Sequence, residues 1–165
     1  MNSESNVYHY DCKKEKEHCS TILKCSGSSG LISVPATTPA TPLVLATVPV
    51  RIPKWCNNPC VNIEFASNVE VVSGTEGATI NIIVTIFKNC PDNLRVPIGS
   101  YSYGSSALLA SASTFSFFVC DCNTCQSNEC CTYSAEITFS SAIGTVATLN
   151  NAALSAIIAS SDCSC

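Results

Sequence analysis

The 165-residue chain carries thirteen cysteines, eight basic and twelve acidic residues, for a net charge of −4. That charge gives no electrostatic footprint for nucleic acid or an anionic membrane, so neither is an expected partner. A hydrophobic share of 46% is too high for a disordered chain, and no run approaches the roughly 18 apolar residues of a membrane-spanning helix.

Residues 1–25 hold Glu4, Asp11, Lys13, Lys14, Glu15, Lys16, Glu17 and Lys24 together with Cys12, Cys19 and Cys25. They offer no apolar face and are expected as a flexible, solvated arm. Met1 to Lys24 lacks the basic-then-apolar order of a secretory signal, yet a cysteine-dense chain normally belongs in an oxidising compartment. Metal binding and oxidation after release from the cell both answer that conflict. Residues 26–42 read as a linker. Ser26-Gly-Ser-Ser-Gly30 is flexible, while Pro35, Pro39 and Pro42 favour extended chain. Fully stretched, Ser26 to Lys54 spans roughly 90–100 Å, more than the width of the domain that follows.

Residues 43–165 read as strands. The first candidate is 43–51. Val61, Ile63 and Phe65 then alternate with Asn62, Glu64 and Ala66, and 68–73 continues as a further candidate. Ile80, Ile82, Val84 and Ile86 form one apolar face, and 94–101 and 107–119 follow. Tyr133, Ala135, Ile137 and Phe139 alternate with small or polar residues in the clearest period-2 pattern of the chain. The segment 145–158 is expected as a strand, because its Ala-rich part, Leu149-Asn-Asn-Ala-Ala-Leu154, lacks a helical stripe. Turn signals at 73–77, 90–93 and 141–144 separate these runs. About eight strands without intervening helices predict an all-β antiparallel sandwich, jelly-roll-like, preceded by the arm. A domain of this size buries an adequate core without disulfides, so its cysteines call for another explanation.

The cysteines form three groups: Cys12, Cys19 and Cys25 in the arm; Cys56, Cys60, Cys90, Cys120, Cys122, Cys125, Cys130 and Cys131 in the domain; and Cys163 and Cys165 at the end. The odd total leaves at least one to stay free, bind something or pair with another chain. The eight domain cysteines are candidates for internal bridges, in a connectivity that spacing does not select. The five on the arm and tail are candidates for disulfides between chains. Cys120-Asp-Cys-Asn-Thr-Cys125 with Cys130-Cys131 offers thiolates for zinc, copper or an iron–sulfur cluster. Its position between a strand ending at Val119 and one beginning at Thr132 favours instead a hairpin loop stapled by disulfides. A redox-active Cys122-x-x-Cys125 lacks a neighbouring cation to lower its thiol pKa.

Other chemistry is sparse. His9 and His18 lie in the polar arm, Glu64, Glu70 and Glu136 are expected as solubilising charges on outward strand faces, and no nucleotide, hydrolase or zinc-protease motif occurs. Trp55 reads as packing over the first strands, and Tyr101 and Tyr103 as sheet residues. No catalytic residue, cofactor or dedicated metal site is expected.

The run Thr41-Pro-Leu-Val-Leu-Ala-Thr-Val48, then Cys56-Asn-Asn-Pro-Cys-Val-Asn-Ile-Glu-Phe-Ala-Ser-Asn68, resembles a clostridial family of Cys-rich proteins of unknown function. The likeness continues through Ile86-Phe-Lys-Asn-Cys90, Phe117-Phe-Val-Cys-Asp-Cys122 and Cys130-Cys-Thr-Tyr133, and covers about residues 41–158. In plan, a Cys-bearing arm before a strand-rich domain also resembles the endospore appendage pilins of Firmicutes. That resemblance implies a self-assembling filament of identical subunits, cross-linked by disulfides through the arm. It implies synthesis in the mother cell without a signal peptide and a final place on the extracellular spore surface. The alternatives are a soluble Cys-rich metal-binding protein and a disulfide-linked spore coat matrix protein.

Overall fold

The computed structural model describes residues 21–53, 59–72, 77–91, 95–106, 110–122 and 130–160. Nine strands are present among them: β1 (Ile22–Cys25), β2 (Ile32–Ser33), β3 (Leu43–Arg51), β4 (Pro59–Val72), β5 (Thr79–Asn89), β6 (Val96–Ser106), β7 (Ser111–Asp121), β8 (Cys130–Ile143) and β9 (Val146–Ser160). They make two antiparallel sheets. One runs β1-β9-β4-β7 with β2 also on β9, and the other runs β3-β8-β5-β6. The all-β sandwich expected from the alternation is the fold.

The pairing is nested. β5 pairs with β6, β4 with β7, β3 with β8, and β1 and β2 with β9. A long antiparallel ribbon is thus rolled so that its two arms also meet, through β4·β9 and β5·β8. From β2 to β9 the chain changes sheet at every connection except β5 to β6. This overturns one local expectation. The segment after β7 is not a hairpin loop, because β7 and β8 lie in different sheets. Consecutive strands are neighbours in most folds, but among the described strands only β5 and β6 are consecutive neighbours, and every strand except β6 pairs with one farther away in sequence.

The alternating runs bury as their period requires, except that a register shift between β5 and β8 turns Phe139, expected on the face of Tyr133, Ala135 and Ile137, outward and buries Ser140 instead. β4 alternates buried with open positions over its whole length, which joins the two separate candidates 61–66 and 68–73 into one strand. β4 pairs with β7 without a break from Val61 to Val71, and the register shift against β9 between Ala66 and Asn68 is taken up by one extra residue on the β9 side. There, Asn151 adopts a left-handed φ of 56°, a conformation Asn tolerates better than most residues, and Ser67 Oγ donates to Asn150 O at 3.1 Å. The core is mainly aliphatic: Val48, Ile63, Ile82, Ile86, Ala135, Ile137 and Leu149 are completely or almost completely shielded. Each large side chain of this kind contributes on the order of 1.5–3 kcal/mol by leaving water. Phe65 and Phe115 belong to this core and meet edge to face, Phe117 packs against it stacked on Phe65, and Tyr101 lies on Phe117 with ring centroids 4.1 Å apart. Tyr101 and Tyr103 are sheet residues on β6, and their hydroxyls reach β7 at Phe118 O and Ser113 Oγ, both 2.7 Å away.

Residues 22–34 depart from the arm-and-linker expectation. Ile22–Cys25 pairs with β9, and Ser26 N, Ser29 N and Val34 N donate to Leu154 O, Ala152 O and Ala147 O. The segment read as a linker therefore lies along the edge of a sheet, and Val34 joins the core. An open edge of β9 offers unpaired backbone groups to any extended segment, so pairing needs only a few apolar anchors. Ile22, Ile32 and Val34 supply them. Residues 1–20 lie outside the described residues, as does Trp55.

Glu136 is a second departure. Glu64 and Glu70 are exposed on the outward face of β4, but Glu136 is buried. It sits on β8, flanked on both sides by β3 and β5. Arg95 closes over it as an ion-pair partner, with its own guanidinium carbon 3.8 Å from the centre of the Phe87 ring. Ser134 Oγ donates to the other carboxylate oxygen at 2.6 Å.

Candidate functional site

Strand order places most of the described cysteines at one end of the sandwich. In one sheet, Pro59 pairs with Ser160, Val61 with Asp121 and Ile22 with Ile158. In the other, Arg51 pairs with Cys130, Asn89 with Thr132 and Lys88 with Val96. β1, β4, β6 and β8 thus begin at this end, and β3, β5, β7 and β9 finish there. Cys60, Cys90, Cys120, Cys122, Cys130 and Cys131 all lie at or within two residues of it. The chain joins β1 from residues 1–21 at the same end and leaves β9 there after Ser160. The connections at the opposite end, 34–42, 73–78, 107–110 and 144–145, contain no cysteine in their sequence.

Among the described residues two disulfides close this end, one in each sheet. Cys60 bonds to Cys122 with Cα atoms 4.2 Å apart, and Cys90 to Cys131 at 4.3 Å. Each joins neighbouring strands one step beyond a register pair, Val61 opposite Asp121 and Asn89 opposite Thr132. Their environments are opposite. Cys90 and Cys131 point inward and are 4% and 1% exposed. Cys122 is exposed and Cys60 half-buried, so this bond sits on the outer face.

Between the sheets, Lys88 and Asp121 form a buried ion pair at 2.7 Å, and Tyr133 Oη donates to the same carboxylate oxygen at 2.8 Å. A charge pair so far from water persists only when hydrogen bonds complete it, and the tyrosine does so here. Because Asp121 stands on β7 while Lys88 and Tyr133 stand on β5 and β8, the cluster locks the two sheets together beside both disulfides. The sequence gives little sign of this: Lys88 and Asp121 occupy inward positions that the alternation reserves for apolar side chains.

The remaining described cysteines face outward. Cys25 and Cys130 are exposed thiols. Cys120 lies on the outer face of β7, with its thiol 3.7 Å from Asn62 Oδ1. Cys25 borders a shallow groove of about 740 Å³ on the outer face of its sheet, lined also by Glu64, Ala66, Phe118, Ala153 and Ser155. The row Cys25, Ser155, Glu64, Phe118 follows from register across β1, β9, β4 and β7. Cys12, Cys19, Cys56, Cys125, Cys163 and Cys165 lie outside the described residues. Among the described residues, no group of three or more His, Cys, Asp or Glu side chains is placed to hold a metal ion, and no helix is long and apolar enough to cross a membrane.

Comparison with solved structures finds weak likenesses. An Eiger TNF from S. frugiperda is similar with a TM-score of 0.46 and 12% identity, over 83% of this chain and 91% of that one. A structure titled for CBM4 gives 0.35 and 11%, over 80% and 92% respectively. At these scores neither likeness carries an argument about function. No curated protein matches the sequence. The model of a domain of unknown function, DUF4489, matches residues 19–159, which takes in β1 and β2 as well as the seven strands that follow. The chain belongs to the DUF4489 family.

Proposed function

We propose that this chain is a structural subunit of an extracellular, spore-associated fibre of clostridial type, a jelly roll that assembles with identical copies and is cross-linked by disulfides. The nested ribbon supports the jelly-roll reading. The observation that carries the functional one is the gathering of cysteines at a single end. The Cys-bearing segments 1–21 and 161–165 join the fold at the end that already holds both internal disulfides, while Cys25 and Cys130 present exposed thiols. A domain with this core does not need further staples to fold. A disulfide needs a cysteine from each copy, so the Cys-bearing segment 1–21 of one copy is the element that bonds to the cysteine pole of the next. Such an arm-to-pole contact is heterologous, does not close and so propagates. Disulfides across that contact make loss of a subunit slow, giving persistence under heat and denaturant.

The test is negative-stain electron microscopy and non-reducing gels of the full chain, oxidised and reduced. Filaments and a reductant-sensitive ladder are expected, and the Cys12→Ala, Cys19→Ala, Cys25→Ala variant is expected to lose the ladder. Monodisperse particles in the oxidised sample overturn the reading.

A further inference from the structure

The outward disulfide has the properties of a reactive bond. A thiolate attacking a disulfide approaches along the sulfur–sulfur axis, opposite the leaving sulfur. Cys60 and Cys122 face each other across β4 and β7, so the axis runs broadly across the strands. On the Cys60 side it meets β9, where Ala159 is the register partner of Cys60. On the Cys122 side it leaves the sheet, because β7 is the end strand and no further strand lies beyond it among the described residues. Cys122 is exposed and Cys60 only half so. Exposed disulfides are the labile ones, and buried ones resist reduction. Cys120 stands one rung along the same strand, off this axis.

We propose that Cys122 is an exchange acceptor at which a thiol of a second copy of this chain is joined, with Cys60 as the leaving group. The incoming thiol gives its proton to solvent. Its thiolate forms a bond to Cys122 Sγ as the bond between Cys122 and Cys60 breaks. Cys60 departs as a thiolate and takes up a proton. One disulfide is consumed and one made, so no oxidant is needed and the number of thiols does not change. The Cys90–Cys131 disulfide, shielded on both sulfurs, takes no part and holds the fold while the other exchanges. The identity of the thiol's source as a second copy rests on the fibre reading above; the exchange site itself does not.

The experiment uses the full oxidised chain with oxygen and metal oxidants excluded. Glutathione is the first probe. It is expected to attach at Cys122, at least about tenfold in excess over Cys60, Cys90 and Cys131 by peptide mapping, with Cys60 newly alkylatable. The second arm mixes isotope-labelled and unlabelled chains without glutathione. Linked chains are expected with an unchanged thiol count in denaturant and with Cys122 bonded to a peptide of the other isotope. Linked chains that keep Cys60–Cys122 intact, or a fall of two thiols per link, overturn the exchange site and leave the fibre reading standing. Glutathione at Cys122 with no linked chains overturns the second copy as partner, while the fibre reading stands or falls on filaments in the oxidised sample. A Cys60→Ser variant, which has no disulfide at Cys122 to exchange, is expected to form no such links without oxidant; links at Cys122 in that variant also overturn the mechanism.

Discussion

The two disulfides differ in one respect that matters. Cys60–Cys122 and Cys90–Cys131 each bridge neighbouring antiparallel strands at the same end of the molecule, with nearly equal Cα separations and sequence separations of 62 and 41. Constraint of the unfolded chain gives about 4 kcal/mol for either. What separates them is the face on which each pair of side chains falls. Strand alternation sends one pair outward and the other inward, so the same bond is a site of chemistry in one sheet and part of the core in the other. Connectivity alone does not distinguish a structural disulfide from a reactive one; exposure and the direction of approach do.

The largest effect expected is on stability. Cys90→Ala with Cys131→Ala should lose about 4 kcal/mol from chain constraint and ~1–2 kcal/mol more for the space vacated in the core. Cys60→Ala with Cys122→Ala should lose only the first part. Urea unfolding of the two double variants, compared at matched m-values, measures the difference; equal losses would show that the inward position adds nothing.

Next comes access. Under native conditions with dithiothreitol, Cys60–Cys122 should open on the order of 100-fold faster than Cys90–Cys131. The inward bond must wait for local opening, and about 3 kcal/mol of opening free energy suffices for that ratio. Timed alkylation with peptide mapping reads both rates in one sample, and similar rates would remove the contrast.

The smallest effect concerns charges on the outer faces of the same two sheets. Glu136→Gln should cost about 1–3 kcal/mol, since it leaves Arg95 facing a neutral amide in a largely covered site. Glu64→Gln, on the exposed face of β4, should stay within about 0.5 kcal/mol. Thermal denaturation of the two variants is enough to rank them.

Much of the strand content is legible in the residues. Period-2 runs such as Tyr133–Ile137 and Ile80–Ile86 have one buried face because successive side chains of a strand point to opposite sides. The segment 145–158 lacks a helical stripe for the same reason and is a strand. A register shift against β5, however, turns Phe139 outward, 39% exposed, and puts Ser140 inside. The outward place of Glu64 and Glu70 follows from the alternation around Val61, Ile63 and Phe65. The odd cysteine count and its three groups can also be read directly, since they need only counting. Where alternation speaks and no register shift intervenes, the residues suffice.

Tertiary pairing decided the rest. Ile22–Cys25 and Ile32–Ser33 carry too few apolar residues to announce strands, and they are strands because β9 has an open edge to fill. Glu136 obeys the alternation yet is buried, because a central strand and Arg95 cover an outward position. The loop after β7 looks like a hairpin until its flanking strands are seen in different sheets. Above all, the described cysteines, scattered over the chain, become a pole only through the nested winding. That winding brings the ends of eight strands together by long-range hydrogen bonding and core burial, which no local spacing encodes. Amino-acid order determined that the chain would be cysteine-rich and β-rich; the rolled ribbon determined which described cysteines meet, which face water, and that both disulfides stand at the same end.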